Sequence, residues 1–153
     1  MIPTMHPNVT PTERPKTLRM GALDKLTVLL ISADLEGRRS VNRILESLSV
    51  NTVACSLLSE AQQALSVQRP HLIFCDERLP DGSYIDLLEW KWLDQVSPPI
   101  VVLTRTGEWE LYMDATRKGA FDVIRSPWHP TDIELSLLRA ARAEKHNFSN
   151  IIR

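Results

Sequence analysis

The chain has 153 residues, 43% of them hydrophobic and 24% charged, which is enough for one globular domain with a real core. Its net charge of −1 gives no overall pull toward nucleic acid or an anionic membrane. No apolar run approaches the roughly 20 residues of a spanning helix, and the N-terminus lacks the apolar segment of a secretory signal.

Residues 1–25 carry four of the ten prolines, Pro3, Pro7, Pro11 and Pro15, and few apolar residues. Arg14, Lys16, Arg19 and Lys25 against Glu13 and Asp24 make this stretch +2 and leave −3 for the remainder. It reads as a disordered, proline-rich arm, and Met20 offers an alternative start. Residues 26–145 read as the folded domain and 146–153 as a short tail, with no output module after the last helix.

From Leu26 the chain alternates strand and helix signals. Leu26 to Ile31 is a continuous apolar run, as in a strand buried on both faces. Residues 36–48 place Val41, Ile44, Leu45 and Leu48 on one helical stripe. Asn51 to Cys55 is a short strand. Ser59 and Gln62 have the spacing of a capping box before a helix carrying Ala61, Ala64 and Leu65. His71 to Cys75 is the third strand. Residues 85–93 form a helix with Leu87, Leu88, Trp90 and Trp92. The two tryptophans, two apart, cannot share a face, so one is expected in the core and the other in solvent. Ile100 to Leu103 is the fourth strand, and residues 108–118 form a helix stopped by Gly119. Phe121 to Ile124 is the fifth strand. Pro130 suits the first turn of a last helix, with Ile133, Leu137 and Ala141 inward.

Five such βα units predict a single doubly wound α/β domain, a parallel sheet with helices on both faces. In sheets of this kind chemistry collects beyond the carboxyl ends of the strands. Those ends hold Ser32, Ala33 and Asp34, then Asp76, then Thr104, Arg105 and Thr106, then Arg125, Ser126 and Pro127. Asp76 is the most informative of them, a carboxylate at the end of an apolar run followed at once by the turn signal Leu79-Pro80-Asp81-Gly82. No glycine-rich loop cradles a phosphate, and no nucleophile–base pair marks an enzyme. His6, His71, His129 and His146 are scattered rather than spaced as metal ligands. Cys55 and Cys75 each end an apolar run and read as small core residues of a reducing cytoplasm.

Taken in order, Val28-Leu29-Leu30-Ile31, Pro70-His71-Leu72-Ile73-Phe74-Cys75-Asp76, Leu79-Pro80-Asp81-Gly82, Ile100-Val101-Val102-Leu103-Thr104, Gly119-Ala120-Phe121-Asp122 and Ser126-Pro127-Trp128 make residues 26–145 resemble the receiver domain of bacterial two-component response regulators. The resemblance implies a flavodoxin-like (βα)5 domain with sheet order 2-1-3-4-5. It implies signalling rather than enzymatic work. It makes Asp76 the candidate phosphoacceptor, Thr104 the switch hydroxyl that contacts the phosphoryl group, and Ser126-Pro127 a cis peptide. It also implies a protein-binding surface on the fourth helix, fifth strand and fifth helix, where Trp109, Tyr112 and Val123 fall.

The departures from the family matter as much. Its acidic pair falls on Ser32 and Ala33, its lysine on Ser126, and its switch aromatic on Val123. Mg²⁺ is normally held by one or two carboxylates and waters, so only Asp34 and Asp76 remain for a weak site. Strand alternation weighs against Asp34 turning inward. Arg105 follows Thr104 and Arg78 lies two after Asp76, so either one of them pairs with Asp76 in place of the missing cations or both are solvated surface arginines. The expected function is a stand-alone, cytoplasmic receiver-like domain in a phosphorelay, with weakened or absent phosphorylation of Asp76. It would act by contact with a protein partner, a histidine kinase or a downstream signalling protein, and a homodimer through the same surface is open. No nucleic acid or membrane partner is expected. The rival readings are a working acceptor that binds Mg²⁺ through Asp34, and, behind it, a small flavodoxin-like enzyme.

Overall fold

In the computed structural model the described residues are Leu23, 25–90 and 97–152, the side chains of 144–152 excepted. Five parallel strands form one sheet: β1 (Thr27–Ile31), β2 (Asn51–Cys55), β3 (Leu72–Asp76), β4 (Ile100–Thr104) and β5 (Asp122–Arg125). Their order is β2-β1-β3-β4-β5, the order implied by the resemblance. The register sets Val28 beside Leu72, Ile73 beside Ile100 and Val101 beside Asp122. The helices are α1 (Leu35–Ser47), α2 (Leu58–Val67), α3 (Tyr84–Leu88), α4 (Trp109–Arg117) and α5 (Pro130–Ile152).

The continuous apolar runs follow from burial on both faces of the sheet. Alternate residues of β1, β3 and β4 point to opposite sides. Val28, Leu30, Leu72, Phe74, Val101 and Leu103 pack in one core with Val41 and Leu45 of α1 and Ile133, Leu137 and Ala140 of α5. Leu29, Ile31, Ile73, Cys75, Ile100 and Val102 pack in the other with Ala61 of α2, Tyr84 and Leu87 of α3, and Ala115 of α4. Leu23, which the sequence placed in the arm, is fully buried in the first core, and its carbonyl accepts from Leu26 N at 2.9 Å. The rest of the arm except Lys25 lies outside the described residues. At the other end α5 continues through Ile152, past the expected boundary at 145.

The helix starts differ from the expected ones. Asp34 is the N-cap of α1, its Oδ2 accepting from Gly37 N at 2.6 Å. The Ser59–Gln62 box does not form. α2 begins at Leu58 after Leu57, whose side chain cannot accept, so two other carboxylates serve its first turn. Glu60 Oε1 accepts from Ser56 N at 2.9 Å and Leu57 N at 3.2 Å, while Asp81 accepts from Leu58 N at 2.9 Å and Ser59 N at 3.1 Å. Asp81 reaches α2 from the tip of a hairpin in which Arg78–Leu79 pairs with Gly82–Ser83. Gly82 there has φ +154°, and a Cβ would strike Leu58 and Asp86, so the turn needs glycine. α3 ends at Leu88, short of the expected 93. Trp90 is half-buried against the second core, and Trp92 lies outside the described residues.

Among the described residues, no helix is long and apolar enough to cross a membrane.

Candidate functional site

Asp76 is the last residue of β3, aligned with Leu103 of β4, and stands half-buried at the carboxyl edge of the sheet. Its Oδ2 accepts from Ser32 Oγ at 3.1 Å and from Ala33 N at 3.0 Å. Where the resemblance would put two acids, the chain therefore supplies two hydrogen-bond donors. Ser32 is fixed in turn: its N donates to Cys55 O at 2.9 Å, and its carbonyl accepts from Arg38 Nη1 at 2.8 Å. Burial pushes the Asp76 carboxyl above its ordinary value. The Ala33 amide, the Ser32 hydroxyl and the charge of Arg105 oppose the shift, and the charge of Asp34 adds to it.

The expected pairing of Asp76 with Arg105 or Arg78 does not form. Arg105 Nη2 pairs instead with Asp34 Oδ2 at 2.5 Å. The reason is local geometry. Asp34 has left the strand to cap α1, so alternation no longer governs its direction, and its carboxylate is the one within reach of Arg105. Asp76 Oδ2 is meanwhile served by Ser32 and Ala33. Arg78 is exposed in the hairpin, and Asp76 accepts nothing from it. Arg105 still acts on Asp76, but through space. The Gly37 amide first, and Arg105 second, hold Asp34 below the usual carboxylate range.

This donor set is a poor fit to a magnesium ion. Asp34 Oδ2 is committed to Gly37 N and to a guanidinium, and Ser32 offers Asp76 a proton rather than the ion a negative oxygen. Among the described residues no cluster of three or more His, Cys, Asp or Glu could hold a metal.

Thr104 ends β4, is 1% exposed, and turns its hydroxyl to partners other than Asp76. It donates to Glu77 Oε1 at 2.9 Å and accepts from Thr106 N at 3.2 Å, with Thr106 Oγ1 also at 3.2 Å. Sequence reasoning passed over Glu77. The signal was available in the register: with Asp76 beside Leu103, the next residue of the chain comes beside Thr104. Ser126 N donates to Thr104 O at 2.8 Å, and Ser126-Pro127 is cis, as expected. Trp128 Nε1 stands beside α1, within 3.6 Å of where a Cβ on Gly37 would stand, a point that Asp34 Oδ2 and Arg105 Nη2 also approach, to 3.0 and 3.4 Å.

On α4, Trp109 and Tyr112 stack with centroids 5.6 Å apart and planes 13° from parallel. Trp109 is 70% exposed, so the stack covers no core. Val123, on β5, packs half-buried against the second core. Both cysteines are free thiols. Burial pushes Cys55 up to about 11 and Cys75 well above its ordinary value, which leaves neither as a thiolate nucleophile at neutral pH.

A family model described as the response regulator receiver domain matches residues 28–138. The transcriptional regulatory protein CitB of Klebsiella pneumoniae is 33% identical over 85 residues, 56% of this chain and 36% of CitB. The cell cycle transcriptional regulator CtrA of Caulobacter vibrioides is 25% identical over 128 residues, 84% of this chain and 55% of CtrA. This chain thus spans about half the length, or less, of these curated relatives. Among solved structures, the receiver domain of NtrX from Brucella abortus aligns with a TM-score of 0.66 at 25% identity, over 75% of this chain and 98% of that one. The receiver domain of the Francisella response regulator 1452 aligns with a TM-score of 0.71 at 16% identity, over 78% and 99%, a likeness of fold.

Proposed function

The chain belongs to the response regulator receiver domain family, and from that premise we propose that it is a two-component receiver in which phosphorylation of Asp76 is weakened or absent and the signal passes by contact with a protein partner. The observation that carries this reading is the Asp34–Arg105 pair at 2.5 Å. Phosphoryl transfer to a carboxylate brings anionic oxygens together, and a divalent cation ordinarily neutralises and orients them. Here the acid one position past the family's pair is paired with Arg105, and the pair itself is Ser32 and Ala33. An ion pair 63% and 43% exposed adds little to stability. Its consequence is chemical, because a cation must compete with the guanidinium for that oxygen.

The partner surface we assign is α4, β5 and α5, and α4 carries the exposed Trp109–Tyr112 stack. Aromatic side chains enrich protein interfaces. A histidine kinase, a downstream signalling protein or a second copy of the chain would be the occupant, in the cytoplasm.

Beryllofluoride with Mg²⁺, titrated against tryptophan fluorescence with Asp76→Asn as the control, tests the reading. Trp128 lies at the site and serves as the reporter. We expect no saturable response that depends on Asp76. A saturable, Asp76-dependent change at physiological Mg²⁺ would show a working acceptor and overturn the proposal.

A further inference from the structure

We propose that Glu77 is a positioning residue for the switch hydroxyl, holding Thr104 turned away from Asp76. This rests on the reading of Asp76 and Thr104 as a receiver's inherited acceptor and switch.

The geometry follows from the strand ends. Glu77 N donates to Leu103 O at 2.9 Å, which carries the β3–β4 ladder one residue past Asp76. Asp76 and Glu77 are neighbours and leave the strand in different directions. Asp76 meets Ser32 and Ala33 on the β1 side, and Glu77 meets Thr104 on the β4 side. A hydroxyl has one proton to give. Thr104 gives it to Glu77 Oε1 at 2.9 Å, and one of its lone pairs takes Thr106 N at 3.2 Å. Neither partner is Asp76, whose own donors are Ser32 and Ala33. To bond an anion at Asp76, Thr104 must first surrender a charge-assisted bond made where it is only 1% exposed. Bonds of that class hold their geometry by about tenfold or more over the broken state. The glutamate thus withdraws the switch hydroxyl from the acceptor, a restraint separate from the Asp34–Arg105 pair and carried by different residues.

The test reads the Thr104 side chain with no phosphodonor present. Three-bond NMR couplings from Thr104 Cγ2 to the backbone N and carbonyl carbon report its χ1. We expect a single rotamer in the wild-type chain and in Glu77→Gln, whose amide oxygen still accepts, and averaged or altered couplings in Glu77→Leu. Unchanged couplings in Glu77→Leu, or averaged ones already in the wild type, overturn the proposal. If the leucine prevents folding, Glu77→Ala makes the same comparison. Because no beryllofluoride is used, the inference about Glu77 fails on the couplings alone, and the reading of Asp76 fails on the fluorescence titration alone.

Discussion

At the scale of single residues, Asp76 and Asp34 are carboxylates shifted in opposite directions. Burial holds Asp76 above its ordinary value of 3.8, against the pull of Ala33 N and Ser32 Oγ. The folded chain therefore keeps that proton longer than the unfolded chain. Between 3.8 and the raised folded value the native state binds more protons, so stability falls as pH rises through that window, and the penalty is complete above it. Asp34 has the reverse sign: the stability from its low value is present above 3.8 and is lost as pH falls through the folded value. Asp76→Asn removes the buried charge and keeps an oxygen for both donors. The variant is expected to melt higher than the wild type at neutral pH, with the gap closing as pH falls toward 3.8. Thermal denaturation across that range measures it, and equal melting temperatures at neutral pH would contradict the account. The strand-end position of Asp76 was legible in the residues themselves, whereas the place of Thr104 and the cis Ser126-Pro127 peptide came with the family resemblance. The partner of Arg105 was not legible. It depends on Asp34 standing three residues past the end of β1, where it caps α1 and strand alternation no longer sets its direction.

At the scale of elements, strands were easier to read than helix starts, and the cause is where each signal resides. β1, β3 and β4 are apolar runs because both of their faces are covered, a property of the residues themselves. The start of α2 is fixed by Asp81, 22 residues from Ser59 in the chain. The local pattern at Ser59 and Gln62 pointed to a box because Ser and Gln can make one. The fold supplied a better acceptor from the hairpin that follows Asp76, and that carboxylate lies favourably at the positive end of the helix. A consequence is that the loop beyond the acceptor and the start of α2 are tied by one side chain. Asp81→Ala is expected to speed hydrogen exchange at the Leu58 and Ser59 amides and to leave the Gly37 amide, capped independently by Asp34, unchanged. Unaltered exchange at Leu58 and Ser59 would show that the contact does not persist in solution.

At the scale of the whole molecule, one sheet serves two cores, and this governs how the site is held. The alternation of strand and helix signals was enough to require a parallel sheet covered on both faces, whereas the order 2-1-3-4-5 came with the family resemblance. The observed order places β3 in the middle, so Asp76 ends a strand paired on both sides. Phe74, two residues before it, is fully buried among Leu30, Leu72, Val101 and Leu137 in the core under α1 and α5. Ile73 is equally buried in the opposite core, under α2, α3 and α4. If the sheet couples the two cores, damage to either must weaken the whole domain in one transition. Phe74→Ala leaves a cavity and is expected to cost about 3–5 kcal/mol. Ile73→Val removes one methyl and is expected to cost about 0.5–1.5 kcal/mol. In urea both variants should lower the midpoint without changing the slope of the transition. A biphasic curve for Phe74→Ala would show that the two cores unfold separately. The frame behind Asp76 would then be the β3 strand and a single layer of helices rather than the whole molecule.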